Sequence, residues 1–317
     1  MSNPGEPAAA DTIPIQTPMP MPTPPSAAAP DGLAIGHYEN FPVASVLLPR
    51  RLRRPVAVIY RFARTADDLA DEGDAAPQER LAALGALSDA LDRIDAGTDP
   101  GTPMMRALAE VIAEYRLPLP LFHDLLDAFR QDVTVHRHAD WDSLLDYSRR
   151  SANPVGRLML HLYGAATPDR FARADAICTG LQLVNFWQDV AIDFARGRVY
   201  LPADAMARHG VDDDALAEGR CDARWLALME ELKMRTEAML QSGASLALDL
   251  PRTADWRIGW ELRLVVQGGL RVLERIEAVG YDVFRRRPTL GPADWLLMAW
   301  RTAARYRTGT APSKPAH

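Results

Sequence analysis

The stretch Tyr60–Asp71 reads YRFARTADDLAD, and the stretch Gln182–Asp193 reads QLVNFWQDVAID. Neither contains Gly or Pro and both follow apolar residues, which predicts that each lies on a largely buried helix. Each stretch places two aspartates four residues apart, so the two carboxylates of a pair are expected on one helix face. The pairs are Asp67 with Asp71 and Asp189 with Asp193.

Stacked carboxylates repel one another, so acidic pairs on apolar helices call for a compensating cation. Mg²⁺ takes oxygen ligands and keeps substrate phosphates in its shell. Two facing helices of this kind would grip a diphosphate through Mg²⁺. The alternative for each pair alone is an ordinary solvated acidic surface.

Composition limits the class of protein. The chain has 317 residues, of which 48% are hydrophobic, enough for one large domain or two small ones. A net charge of −6 argues against a nucleic-acid partner. Cys178 and Cys221 form no CxxC motif, which predicts neither a disulfide framework nor a structural zinc site. With no dinucleotide or P-loop motif, no long apolar run and no secretory signal, we expect a cytoplasmic enzyme.

Helical periodicity covers most of the chain. Residues 1–31 are rich in Pro and Ala and are predicted to be a disordered tail, residues 32–306 a single helical domain, and residues 307–317 a C-terminal tail. No run of alternating strands is evident, so the fold class is predicted to be all-α. The predicted helices are Val56–Ala70, Pro77–Ile94, Pro103–Tyr115, Leu119–Val133, Trp141–Arg150, Asn153–Tyr163, Asp169–Asp193, Trp225–Leu248, Asp255–Val279 and Pro292–Tyr306.

From about His37 to Trp295 the chain resembles the squalene/phytoene synthase family. The first DxxxD motif ends at Asp71, and the second is followed by GRVYLP at Gly197–Pro202, the family's usual continuation. The resemblance implies an isoprenoid-synthase-type helical bundle with a central cavity and Mg²⁺ as cofactor. The metal ligands it implies are Asp67, Asp71, Asn185, Asp189 and Asp193.

The resemblance also implies that a prenyl diphosphate ionises in the site. Arg64, one turn before Asp67, is predicted to add charge-assisted hydrogen bonds. Tyr60 and Tyr147 are predicted to stabilise a cation or relay a proton, against the alternative of ordinary core tyrosines. Small residues in Tyr147–Gly156 would let a prenyl chain approach the backbone. The predicted substrate-binding residues are His37, Asn40, Phe41, Asn153, Gln182 and Asn185.

Three details point to one branch of the family. HYENFPVAS at His37–Ser45 and SANPVGR at Ser151–Arg157 resemble the bacterial hydroxysqualene synthases of hopanoid biosynthesis. Gln188 stands where many condensing members have Arg, which indicates one fewer cation and a site for a single diphosphate. The implied reaction converts presqualene diphosphate and water to hydroxysqualene and diphosphate.

Two other functions stay open at this point. One is another catalytic member that makes presqualene diphosphate, squalene or phytoene. The other is a non-catalytic relative that acts as an interaction protein, although both acidic motifs are intact. A substrate this greasy is expected to enter from a bilayer, so we expect peripheral contact with the inner face of a membrane. The run Arg285–Arg287 is a solvated basic surface, or else lies near the diphosphate or an anionic membrane.

Overall fold

The computed structural model describes residues 47–250 and 255–308, with the backbone alone for residues 305–308. Every named element in these ranges is a helix, which confirms the all-α prediction. Within them, no helix combines the length and apolar character needed to cross a bilayer. The helices are α1 Arg50–Asp71, α2 Pro77–Asp95, α3 Pro103–Tyr115, α4 Leu119–Thr134, α5 Trp141–Ser151, α6 Asn153–Leu162, α7 Pro168–Gln188, α8 Val190–Ala195, α9 Ala203–His209, α10 Asp213–Ala217, α11 Ala223–Gly243, α12 Leu246–Asp249, α13 Trp256–Ala278 and α14 Pro292–Thr308.

Most predicted helices are present with ends shifted by a few residues at most. The short helices α9 and α10 were not predicted, and the predicted helix Trp225–Leu248 is divided into α11 and α12. The tail predicted for residues 1–31 lies outside the described residues, as do residues 309–317 of the tail predicted for residues 307–317. The domain boundaries therefore stay a prediction.

The first helix begins earlier than predicted, and Pro55 lies inside it rather than in its first turn. A proline has no N–H, so the carbonyl four residues before it, that of Arg51, loses its helical donor. The Tyr115 hydroxyl of α3 donates to this carbonyl at 3.4 Å. The contact with α3 therefore helps α1 to continue through its proline.

Helix α7 lies at the centre of the bundle and packs against α6, α11 and α13. Its contact with α11 is very close, because a Cβ at Gly243 would lie 2.5 Å from the carbonyl oxygen of Arg173. Trp187 is buried in the same interface, and its indole N–H donates to the Thr236 hydroxyl at 2.8 Å. Close packing and a satisfied buried indole fix the helix that leads into the second acidic motif.

The second motif is not one continuous helix, so the prediction of a single helix over Asp169–Asp193 is wrong in this respect. Asp189 separates α7 from α8, with φ −108° and ψ 13°. At this break the Gln188 amide donates to the carbonyl of Pro288, and Arg287 pairs with Asp189. The loop before α14 thus docks where α7 ends.

The GRVYLP segment after α8 is held by the loop between α4 and α5. Val199 N–H donates to the carbonyl of His136 at 2.8 Å, and Ala203 N–H donates to that of His138 at 3.0 Å. Arg137 and Val199 form an isolated parallel β-bridge at the same place. These backbone bonds fix the direction of a segment that carries two side chains of the site.

Candidate active site

The first acidic motif occupies the last turns of α1 and is neutralised in part by its own helix. Arg64 lies 2.9 Å from Asp67, 2.7 Å from Asp68 and 2.8 Å from Glu72. Burial alone would lower the pKa of Arg64, but these carboxylates raise it on balance. Arg64 therefore stays charged in the position from which we predicted it to act.

Asp71 joins the first motif to the second. Both of its carboxylate oxygens accept hydrogen bonds from the guanidinium of Arg198, one of them at 2.8 Å. Arg198 belongs to the GRVYLP segment that follows the second motif, and only 17% of its side chain is exposed. Asp71 and Arg198 are 127 positions apart in sequence, and this bidentate pair holds the first motif beside the segment that follows the second.

The second motif carries one paired and one strongly perturbed carboxylate. Asp189 pairs with Arg287, with one oxygen at 2.9 Å from the guanidinium. Burial, together with the negative charges of Asp189 and Asp71, raises the pKa of Asp193 to about 7 against the opposing effect of Arg198. The site thus holds more negative charge than its arginines compensate.

Asp132 of α4 is a further acidic residue of this cluster that the sequence analysis missed. It accepts a hydrogen bond from the Tyr147 hydroxyl at 3.0 Å, and both residues are buried. Burial raises the pKa of Asp132 to about 7 against the opposing effects of Tyr147 and Arg198. A signal existed in the sequence, because Asp132 continues the buried stripe of Leu125 and Ala128.

Four rings pack beside the carboxylates. Phe186 and Tyr200 stack face to face with centroids 3.9 Å apart, and Tyr147 lies within 6.2 Å of both. His138 stacks on Tyr200 at 5.8 Å, and burial lowers its pKa. The space lined by Phe186, Asp193 and Tyr200 is only about 10 Å³, which is roughly the room of one water.

The segment after Tyr147 serves helix packing. A Cβ at Gly156 would lie 2.6 Å from the Cys178 sulfur of α7, so the prediction that a prenyl chain approaches the backbone there is wrong at this residue. Asn153 is buried, and its side-chain oxygen accepts a hydrogen bond from Thr179 at 2.9 Å. Its predicted role in substrate binding stays a prediction beside this structural one.

The remaining predicted residues take less defined positions. Tyr60 is half-buried on α1 and lies close enough to Arg64 to raise its pKa. Gln182 and Asn185 are half-buried on α7, and their predicted binding roles stay predictions. The predicted residues outside the described part of the chain are His37, Asn40 and Phe41.

The inference that Gln188 leaves one fewer cation at the second motif than in condensing members of the family stays a prediction. Gln188 is buried, and its side-chain amide donates to the carbonyl of Pro288. Arg287 supplies a cation to Asp189 from another part of the chain. The interpretation of a solvated basic run holds for Arg285, which is 63% exposed, and fails for Arg287.

The donor atoms suit Mg²⁺, although they do not form a ready metal site. Among the residues that the structure describes, no three His, Cys, Asp or Glu side chains converge to hold a metal. Arginines contact Asp67, Asp71 and Asp189 instead. Carboxylate oxygens are the ligands Mg²⁺ prefers, and a bound cation would offset both the burial of the Asp193 carboxyl and its repulsion by Asp189, which together raise its pKa.

An all-α bundle in which arginine joins two acidic motifs agrees with the class of enzyme that the sequence resemblance implied, one that acts on prenyl diphosphates. Residues 35–294 match the family model described as squalene/phytoene synthase. The chain therefore belongs to the squalene/phytoene synthase family.

Two curated relatives and one solved structure show the range of that similarity. The hydroxysqualene synthase of Sinorhizobium fredii is 33% identical over 275 residues, covering 86% of this chain and 90% of the relative. The phytoene synthase of Mycobacterium bovis is 35% identical over 193 residues, covering 60% of this chain and 63% of the relative. The squalene synthase HpnC from Alicyclobacillus acidocaldarius superposes with a TM-score of 0.71 at 36% identity, covering 77% of this chain and 90% of that one.

Proposed function

We propose that this enzyme converts presqualene diphosphate and water to hydroxysqualene and diphosphate, with Mg²⁺ as cofactor, in hopanoid biosynthesis. The observation that carries the proposal is the Arg198–Asp71 pair, which unites the two acidic motifs in one cluster. The similarity to hydroxysqualene synthases over most of the chain supports this member of the family.

The reaction balances without an external reductant. The C–O bond to diphosphate breaks and its electron pair leaves with the diphosphate. The resulting carbocation rearranges, water adds to it, and one proton is released to give the alcohol. Bound Mg²⁺ would neutralise the charge that grows on the leaving diphosphate.

The arginines of the site would also help to stabilise the negative charge of the leaving diphosphate. Arg198 and Arg287 are each paired with a motif carboxylate, and their planar guanidinium groups match the oxygens of a diphosphate equally well. In the substrate complex we expect these arginines to exchange carboxylate for phosphate oxygens. Asp71 and Asp189 then become available as metal ligands.

Tyr147 and Asp132 form the proton path that we assign to the water-addition step. A group whose pKa lies near the working pH accepts and releases protons efficiently, and burial raises the pKa of Asp132 to about 7. The Tyr147 hydroxyl bonds to this carboxyl, so a proton delivered to the tyrosine oxygen can pass on to Asp132. In this proposal Asp132 is the proton acceptor that acts together with Tyr147.

The hydrocarbon part of the substrate needs more room than the space beside Asp193 offers. Because Phe186 and Tyr200 are stacked there, a prenyl chain reaches this point only if their rings move apart. We expect the substrate to come from the inner face of the cytoplasmic membrane, with the enzyme in peripheral contact.

Product analysis tests the reaction directly. Purified enzyme is given presqualene diphosphate, farnesyl diphosphate or the longer geranylgeranyl diphosphate, each with and without NADPH. Hydroxysqualene from presqualene diphosphate without NADPH is the expected result. Squalene that requires NADPH, or phytoene from a longer diphosphate, would assign the chain to another branch; the 35% identity to a phytoene synthase makes that the second candidate.

A carboxylate substitution tests the site itself. Asp193→Asn should lower turnover by about a hundredfold or more, because the side chain loses the charge that a metal requires. The control Asp169→Asn removes a carboxylate from the exposed first turn of α7 and should leave turnover unchanged. Equal activity of the two variants would contradict the proposed metal site.

Calorimetry tests the exchange of partners without any turnover. Because arginines hold three of the carboxylates, Mg²⁺ alone should bind weakly, and inorganic diphosphate should strengthen its binding at least about tenfold. Asp193→Asn should abolish this gain, and Asp169→Asn should retain it. Tight binding of Mg²⁺ that is independent of diphosphate would contradict the exchange.

A further inference from the structure

The last described helix, α14, exposes an apolar face opposite the one that packs on α13. Its buried residues, Asp294, Met298 and Thr302, recur every four residues. On the opposite side Leu296 is 75% exposed and Trp300 is 66% exposed. A surface helix normally carries polar residues on its outer face.

The exposed residues form a patch on this one helix. The run Trp295–Trp300 reads WLLMAW and contains no polar residue. Trp295 at its start and Ala299 near its end are also exposed. Isolated exposed apolar residues are normal on a protein surface, whereas a contiguous group of this kind marks an interaction site.

Helix α14 is held rigidly in the position that exposes this patch. The Asp294 side chain is fully buried and pairs with Arg271 at 2.7 Å and with Arg275 at 2.8 Å. These hydrogen bonds and that from the Gly291 N–H hold the pKa of Asp294 well below its usual range. The outward direction of Leu296 and Trp300 is therefore built into the fold.

The sequence around the patch is basic, although the whole chain carries a net charge of −6. From Trp295 to His317 there is no Asp or Glu. Four cationic residues lie in that segment: Arg301, which pairs with Glu274 at 2.6 Å, and Arg305, Arg307 and Lys314. Apolar and aromatic residues next to a group of Lys and Arg are the pattern of a helix that lies on an anionic membrane.

We propose that the outer face of α14, formed by Trp295, Leu296, Ala299 and Trp300, docks the enzyme on an anionic phospholipid bilayer. The reason for docking rests on the proposed function, because a prenyl diphosphate with a long hydrocarbon chain is held in such a bilayer. A second copy of the chain is a poorer occupant, because it presents the same basic sequence beside its own patch and no opposite charge there.

A cavity with both charged and apolar lining borders the same helix. It has a volume of about 440 Å³, lies between α11, α13 and α14, and is bordered by Trp300 and Arg301. Lys233, Glu237 and Glu274 bring charges into its lining. The apolar patch itself lies on the outer face of α14, where a bilayer can reach it.

Vesicle binding tests the proposal with the full chain. Sucrose-loaded vesicles of phosphatidylcholine, alone or mixed with phosphatidylglycerol, are sedimented with wild type and with the double variant Leu296→Ser/Trp300→Ser. We expect wild type to prefer the mixed vesicles, and the double variant to bind them at least about tenfold more weakly. Replacing Arg305 and Arg307 by Gln should weaken the binding about fivefold per arginine and reduce its salt dependence.

Matched controls separate docking from folding and from catalysis. Leu226→Ser/Met234→Ser removes two exposed apolar residues of α11 and should bind vesicles like wild type. Turnover of detergent-dispersed presqualene diphosphate should be equal in all variants, whereas turnover of vesicle-held substrate should fall only for the α14 variants. If the enzyme lacks this activity, the vesicle-binding result still decides the docking proposal. Equal binding of both double variants, or wild type that forms a dimer through α14 and ignores vesicles, would overturn it.

Discussion

Replacing Asp132 with asparagine should change how the stability of this protein depends on pH. The folded state holds the carboxyl with a pKa of about 7, compared with 3.8 for an ordinary aspartate. Between these values the folded state keeps a proton that the unfolded state has lost, so the free energy of unfolding falls as pH rises. Below this window both states are protonated and above it both are ionised, so the dependence is confined to it.

The size of the effect follows from the two pKa values. From about pH 5 to about pH 8, the ionisation of Asp132 should lower the free energy of unfolding of the wild type by roughly 2.5 kcal/mol. Asp132→Asn cannot ionise and lacks this loss, while its amide oxygen can still accept the Tyr147 hydrogen bond. Relative to wild type, the variant should therefore gain roughly 2.5 kcal/mol over this range.

Urea unfolding followed by circular dichroism measures the difference, in buffer that contains a chelator to remove divalent ions. Asp127→Asn is the control, because it removes a carboxylate from an exposed position of the same helix. Asp193 also loses its proton in this range and gives the wild type a further slope of the same sign, which the comparison of wild type with Asp132→Asn cancels. If wild type and Asp132→Asn give parallel curves, the carboxyl ionises normally and the argument from burial is wrong.

Two further predictions concern the packing of the bundle, and both are measured by urea unfolding. Gly243→Ala should destabilise the protein by about 1–3 kcal/mol, because its Cβ would meet a backbone carbonyl oxygen. The control Gly85→Ala, in open space on α2, should stabilise the protein by about 0.5–1 kcal/mol. Equal effects of the two substitutions would contradict the close contact at Gly243. Trp187→Phe and Thr236→Val should each destabilise by about 1–2 kcal/mol. Because both substitutions remove the same hydrogen bond between Trp187 and Thr236, the destabilisation of the double variant should be smaller than the sum of the two single effects. Strictly additive destabilisation would count against that bond.

The helices of this fold were predictable because their signals are local. The spacing of apolar residues predicted α2 as Pro77–Ile94, and the structure ends it one residue later. Thr102, of a residue type preferred at helix starts, precedes α3, and its hydroxyl accepts a hydrogen bond from Met105 N–H. The break at Asp189 was not predictable in this way, because it coincides with contacts to Pro288, a residue 100 positions from Gln188.

In the candidate site, too, residues with a local sequence signal were predictable, and residues placed by contacts distant in sequence were not. The aspartate pairs were visible as carboxylates on apolar helices, and the structure brings the two motifs together. Their partners Arg198 and Arg287 lie in loops, where no periodicity indicates the direction of a side chain. Asp132 was missed although it could have been found, since an acidic residue on the buried stripe of α4 already indicated an unusual environment.

The contact between Arg287 and Asp189 determines when the enzyme becomes complete during its synthesis. These two residues are 98 positions apart, so a ribosome needs roughly 5–20 seconds to make the chain between them. During that interval the nascent protein has both aspartate motifs but lacks the arginine that neutralises the second one. Chain elongation thus delays assembly of the reactive centre until the C-terminal loop has emerged and docked.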